Sequence, residues 1–248
     1  MKKPKTLTVA VSACLALGSL FGADVQVARA ATFVMEFGKQ DNFDLSDFPP
    51  DEMPTPRTEL TNNFYAGFPK CTQNPIPSNW VSRCQLRKFD ERHQDRNFMH
   101  SFDLSSALAS GEIVSATLET KLEAIGGYND GFLLGLVSHG QGNYWYGRIG
   151  QNNYNLGIPS LTPTWTYGQV EDFNLDLSNL PSLTAQKGNL LPMLNEVGFL
   201  DIEIQDDTVV DYLKLTVKTV PEPGTVAGLA VLGFGFVASK TRKFFGRR

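Results

Sequence analysis

Apolar and polar positions alternate in twos along most of this chain, the period of a strand with one face buried. Residues 32–37 and 98–104 are short candidates. Over residues 114–122 the pattern turns Val114, Ala116, Leu118 and Leu122 inward and leaves Glu119 and Lys121 in water. Residues 132–137 are nearly all apolar, as a central strand is. Over 143–149, Trp145 and Ile149 fall on one face and Tyr144, Tyr146 and Arg148 on the other. Phe173, Leu175 and Leu177 alternate with Asn174, Asp176 and Ser178.

A short helix is expected over 189–198. Asn189 can cap it, Pro192 fits its first turn, and Gly198 can end it in the left-handed conformation. Leu200, Ile202 and Ile204 then alternate with Asp201, Glu203 and Gln205. Asp206-Asp207-Thr208 makes a turn and 209–217 returns, which predicts a hairpin. About eight or nine short strands between Gly, Pro and Asn turns predict an all-β, antiparallel sandwich, jelly-roll-like, with little helix.

Residues 41–57 break the pattern. Pro49, Pro50, Pro54 and Pro56 mixed with Asp44, Asp47, Asp51 and Glu52 read as an extended linker. The ends differ again. Lys2, Lys3 and Lys5, an uncharged apolar run over 7–21, and small residues at Ala28 and Ala30 form a secretory signal, cut after Ala30 or Ala31. At the other end, Pro221-Glu222-Pro223 precedes a Gly-rich apolar stretch over 226–238 and five basic residues, Lys240, Arg242, Lys243, Arg247 and Arg248. That stretch is marginal for a membrane span by length, and its basic flank would stay in the cytoplasm.

The motif, short hydrophobic helix and basic tail together resemble a PEP-CTERM sorting signal, found on exported proteins of Gram-negative bacteria that make extracellular polysaccharide. The resemblance implies processing by an exosortase, a membrane-embedded cysteine protease that cuts near Pro-Glu-Pro. It covers the last 28 or so residues and names a destination, not an activity. Residues 189–217 are also similar to β-sandwich ectodomains of other PEP-CTERM proteins. The expected organisation is therefore a signal peptide forming a helix (1–30), an extended segment (31–57), a sandwich ectodomain (58–219) and a sorting signal with a single transmembrane helix (220–248). Signal peptidase and exosortase are the expected processing partners. The inner membrane is a transient host, extracellular polysaccharide a possible contact, and the mature protein is expected at the cell surface or outside the cell.

Composition adds limits. With 42% hydrophobic and 19% charged residues the chain can bury a core. The net charge of −4 hides a body that carries 13 basic against 24 acidic residues between 31 and 220. Such a body repels phosphate backbones, which excludes nucleic acid as an expected partner. Cys71 and Cys84 are the only cysteines past the signal, and in an exported protein they are expected to pair. Closing their loop is worth up to about 3 kcal/mol.

Catalytic signals are sparse. His93, His100 and His139 show no metal-ligand spacing, and no Gly-x-Ser-x-Gly elbow or phosphate-binding loop occurs. The expectation is a non-enzymatic surface or matrix protein without a cofactor; the alternatives are a carbohydrate-binding module and a secreted hydrolase. Tyr144, Trp145, Tyr146 and Tyr167 are the candidate sugar platform, although alternation sends part of that set into the core. Asp206, Asp207 and Asp211 form the densest acidic group and fit either a turn or a structural calcium site.

Overall fold

The computed structural model describes residues 9–10, 30–43, 53–81, 83–92, 94, 96–126, 130–136, 144–151, 156–183 and 187–221. Two five-stranded sheets face each other. The first runs in the order β1 (Val9–Ala10), β2 (Ala31–Gly38), β10 (Thr208–Val220), β4 (Glu112–Ala124) and β8 (Val170–Asp176). The second runs β3 (Phe98–Asp103), β9 (Phe199–Ile204), β5 (Asp130–Gly135), β6 (Tyr144–Ile149) and β7 (Ser160–Thr162). The protein is a mainly β sandwich, as the period of two predicts. One strand pair departs from the antiparallel expectation, because β6 and β7 run parallel.

The main core fills the space between the sheets. Leu118, Leu122, Phe173, Leu175, Leu213 and Leu215 meet Phe102, Phe132, Leu134, Trp145, Ile149 and Ile202 there. A second, smaller core lies on the outer face of the second sheet. Helix α1 (Thr58–Gly67) lays Leu60 and Phe64 over Met99 and Leu133, with Tyr65, Phe68, Tyr144 and Tyr146 packed around them. The segment after α1 is closed by the Cys71–Cys84 disulfide, as expected. Trp80 lies between the two cysteines, with the Lys70 ammonium 4.6 Å and the Arg83 guanidinium 5.7 Å from its ring centre.

Helix α3 (Leu191–Val197) follows the sequence expectation closely. Asn189 Oδ1 accepts the Leu191 N–H at 3.0 Å, and Gly198 takes φ 71° at the C-terminus. Asn195 fixes the helix to the sandwich: its Oδ1 accepts from Ile113 N (2.7 Å) and its Nδ2 donates to Ile113 O (2.9 Å). A four-residue helix, α2 (Ser105–Leu108), follows β3.

Four expectations need correction. The hairpin over 199–217 does not form, because β9 pairs with β3 and β5 whereas β10 pairs with β2 and β4. The Asp206-Asp207 turn carries the chain from one sheet to the other. Val114 faces out, 45% exposed, because a register shift in the β4–β10 ladder turns Ile113 inward in its place. The expected boundary of the sandwich at residue 58 moves upstream, because Ala31–Gly38 forms the strand that alternation over 32–37 predicts and is hydrogen-bonded to β10 along its length. Finally, Val9–Ala10, inside the expected signal helix, is extended and paired with β2. The rest of that helix, including Ala28, lies outside the described residues, as do Glu222, Pro223 and the apolar stretch over 226–238. Among the described residues no helix is long and apolar enough to cross a membrane.

Candidate functional site

The aromatic set divides across the second sheet. Trp145 is fully buried, its indole N–H donates to Pro181 O at 2.7 Å, and its ring meets Phe132 edge-on at 6.4 Å. It belongs to the core and leaves the candidate ligand-binding set. Tyr144 and Tyr146 point the other way, half-buried against the Leu60–Phe64 cluster. The Arg148 guanidinium stands 5.5 Å from the Tyr146 ring centre, and burial pushes the Tyr146 hydroxyl pKa up. Tyr167 is 76% exposed in the turn that enters β8 of the first sheet. Strand alternation therefore splits the three consecutive rings and prevents a single flat row.

The acidic set is rearranged too. Asp206 and Asp207 serve the crossover between sheets. Asp206 holds a positive φ of 69°, and the buried Arg87 guanidinium donates to the Asp206 and Thr208 carbonyls. Beneath this turn Asp130 accepts hydrogen bonds from the Thr208 hydroxyl and from Trp165 Nε1. Burial pushes the Asp130 carboxyl up to about 6, against the pull of the Thr208 hydrogen bond. Burial likewise lowers Arg87 to about 10, with Asp130 and Asp207 opposing.

The Asp130 shift has a sign. Its folded-state value lies above the ordinary 3.8, so the stability gained from protonation is complete below about pH 4 and is lost as pH rises through 6. Between about pH 4 and pH 7 the full-length protein should lose up to about 3 kcal/mol relative to Asp130→Asn. Chemical denaturation of both proteins across that range checks it; a pH-independent difference would contradict it.

Asp211 turns away from this crossover and meets two residues the sequence reading passed over. One ligand oxygen each from Asp41, Asp90 and Asp211 all lie within 4.8 Å of one another. Asp90 and Asp211 are fully buried and Asp41 is half-buried. Asp206 and Asp207 do not belong to this group. Asp211 sits where the β4–β10 ladder shifts register between Val210 and Tyr212, a bulge that re-aims its side chain. Opposite it, Gly38 has φ 77°, and a Cβ there would come within 2.5 Å of Asp211 O. Asp90 is held by its own N–H, which donates to Val210 O at 2.9 Å. No local spacing links these residues: one follows β2, one lies in the loop before β3, and one is in β10. The only sequence trace is an Asp just past a strand end and another inside an apolar strand.

Two cavities lie elsewhere. One, of about 400 Å³, is lined by Leu136, Tyr144, Leu190, Met193 and Val197, with Lys187 and Glu196 on its wall. A more open groove of about 430 Å³ runs between the edge strands β7 and β8 and carries Glu171, Asp172 and Asp176. Among the described residues, neither lining holds a histidine or cysteine. His100 is fully buried, accepts the Thr55 N–H at Nδ1 (3.2 Å), and packs 4.2 Å from Phe37 and 4.8 Å from Phe102, ring centre to ring centre. His93 and His139 lie outside the described residues. No protein family model, curated protein or solved structure matches this chain.

Proposed function

We propose that the chain is an exported, exosortase-processed protein of the cell surface or extracellular matrix, whose jelly-roll-like sandwich has a structural or adhesive, non-enzymatic role. One observation carries the reading: Pro221-Glu222-Pro223, a short Gly-rich apolar stretch and a basic tail follow one another at the C-terminus of a chain that opens with a secretory signal. Three features support it. The Cys71–Cys84 pair is joined, which suits an oxidising compartment. Strand β10 ends at Val220, directly before the motif, so a cut there leaves its ladder whole. The repeated crossing of the chain between sheets is in keeping with a jelly roll.

Protein recovered from the surface of the native host should lack its basic tail by intact-mass spectrometry, with its new C-terminus close to Pro221. A surface form still ending at Arg248 would overturn exosortase processing. Turnover of a polysaccharide by the pure protein would overturn the non-enzymatic role.

A further inference from the structure

We infer that Asp41, Asp90 and Asp211 hold one calcium ion, which ties the segment after β2, the loop before β3 and the last strand together. The argument starts from distance. Calcium binds oxygen at about 2.3–2.6 Å, so two ligands of one ion are separated by at most about 4.6–5.2 Å. The three carboxylates, within 4.8 Å of one another, meet that limit.

Charge and hydrogen bonding point the same way. Asp211 is fully buried, and while its Oδ1 accepts the Phe43 N–H at 3.0 Å, its Oδ2 accepts no hydrogen bond. A buried carboxylate oxygen left without a donor is costly, and a cation satisfies it directly. Burial raises the Asp211 carboxyl pKa, with the neighbouring Asp41 charge adding to the rise and the Phe43 and Asn42 backbone N–H groups and the Lys121 charge opposing it. Lys121, whose charge opposes that rise, donates its ammonium to Asn42 Oδ1 at 3.0 Å.

The donor set selects the ion. Three carboxylates with neither cysteine nor histidine suit a hard cation and disfavour zinc. An irregular, partly buried group of loop and strand residues suits the flexible coordination of calcium. Magnesium demands a near-ideal octahedron at 2.0–2.1 Å and keeps several waters. Backbone carbonyls and water would complete the six to eight ligands. Because the ion binds only the folded chain, calcium at ten times its Kd raises the folded-to-unfolded ratio about elevenfold.

The test uses the full chain, stripped of metal by chelator and titrated with calcium chloride by calorimetry, with thermal unfolding in parallel. One calcium per chain should bind with a Kd in the range of extracellular modules, about 10⁻⁴–10⁻³ M, and raise the unfolding midpoint. Asp41→Asn, at the half-exposed position, should keep the fold and weaken binding by about tenfold or more through loss of a ligand charge. Asp211→Asn should abolish binding, and Asp206→Asn should leave it unchanged. Absence of calcium binding by the unsubstituted chain would overturn the site. So would unaltered affinity in Asp41→Asn, loss of binding in a folded Asp206→Asn protein, or tighter binding of magnesium than of calcium. None of these measurements depends on the sorting tail, so failure of the site and failure of the export reading are separate results.

Discussion

Trp145→Ala is expected to destabilise the sandwich by about 3–5 kcal/mol, a large part of the 5–15 kcal/mol typical of a domain. The indole fills the space above Gly147, where an added Cβ would come within 2.1 Å of the Trp145 ring. It also meets Phe132 and donates to Pro181 O. Truncation therefore opens a cavity between two sheets whose backbones are fixed by their ladders and cannot collapse into it. Tyr167→Ala serves as the contrast: with its ring 76% exposed, it should stay within about 0.5 kcal/mol of the parent. Urea unfolding of the two full-length variants measures both. A Trp145→Ala cost below about 1 kcal/mol would remove the indole from the core and reopen its place on a ligand-binding face.

What the sequence disclosed follows from where its information is local. Alternation along β6 correctly put Trp145 and Ile149 on one face and Tyr144, Tyr146 and Arg148 on the other, since that choice depends only on the pleat. The C-terminal end of α3 is legible because Gly198 acts within one turn of the helix; at the other end the N-cap falls on Leu190 rather than Asn189, whose Oδ1 still accepts the Leu191 N–H. Strand partners were not legible. An Asp-Asp-Thr turn between two apolar runs has hairpin chemistry, yet Arg87 grips the turn's carbonyls and the flanking strands join different sheets. The register shift that exposes Val114 is equally silent, because it depends on where β4 gains a residue against β10. Helix α1 is not legible in the sequence, because Thr58–Gly67 is poor in strong helix formers and only the four-residue spacing of Leu60 and Phe64 marks a buried stripe. The carboxylate group was half visible: Asp211 was singled out, but its partners come from distant segments.

The same limit applies to Arg57, which the composition places at the end of a proline-rich linker and the structure places on a buried carboxylate. Asp201 in β9 is fully buried and receives Arg57 Nε at 2.8 and 3.0 Å, Arg57 Nη2 at 2.7 Å and Ser101 Oγ at 2.7 Å. Hydrogen bonding to Asp201 raises the Arg57 pKa against the opposing effect of burial. Around the pair, Arg57 N donates to Ser101 Oγ and Ser101 N donates to Thr55 O, so residues 55–57 are bound to β3 as well. The bond also positions α1, which begins at the next residue and covers the second sheet. Arg57→Ala leaves the Asp201 carboxylate buried with a single hydroxyl donor, a situation that costs about 3–5 kcal/mol in closed sites. Because the Arg57 side chain is itself 18% exposed, water can enter part of the gap, and a loss near 3 kcal/mol is expected. Arg57→Lys should recover only part of it, since an ammonium cannot reproduce the forked, bidentate contact. Adding Asp201→Asn to Arg57→Ala should return stability, because it removes the stranded charge; unfolding of the single and double variants gives the coupling. A single-variant cost under about 1 kcal/mol, or purely additive losses, would mean that the guanidinium sits on Asp201 without holding the segment in place.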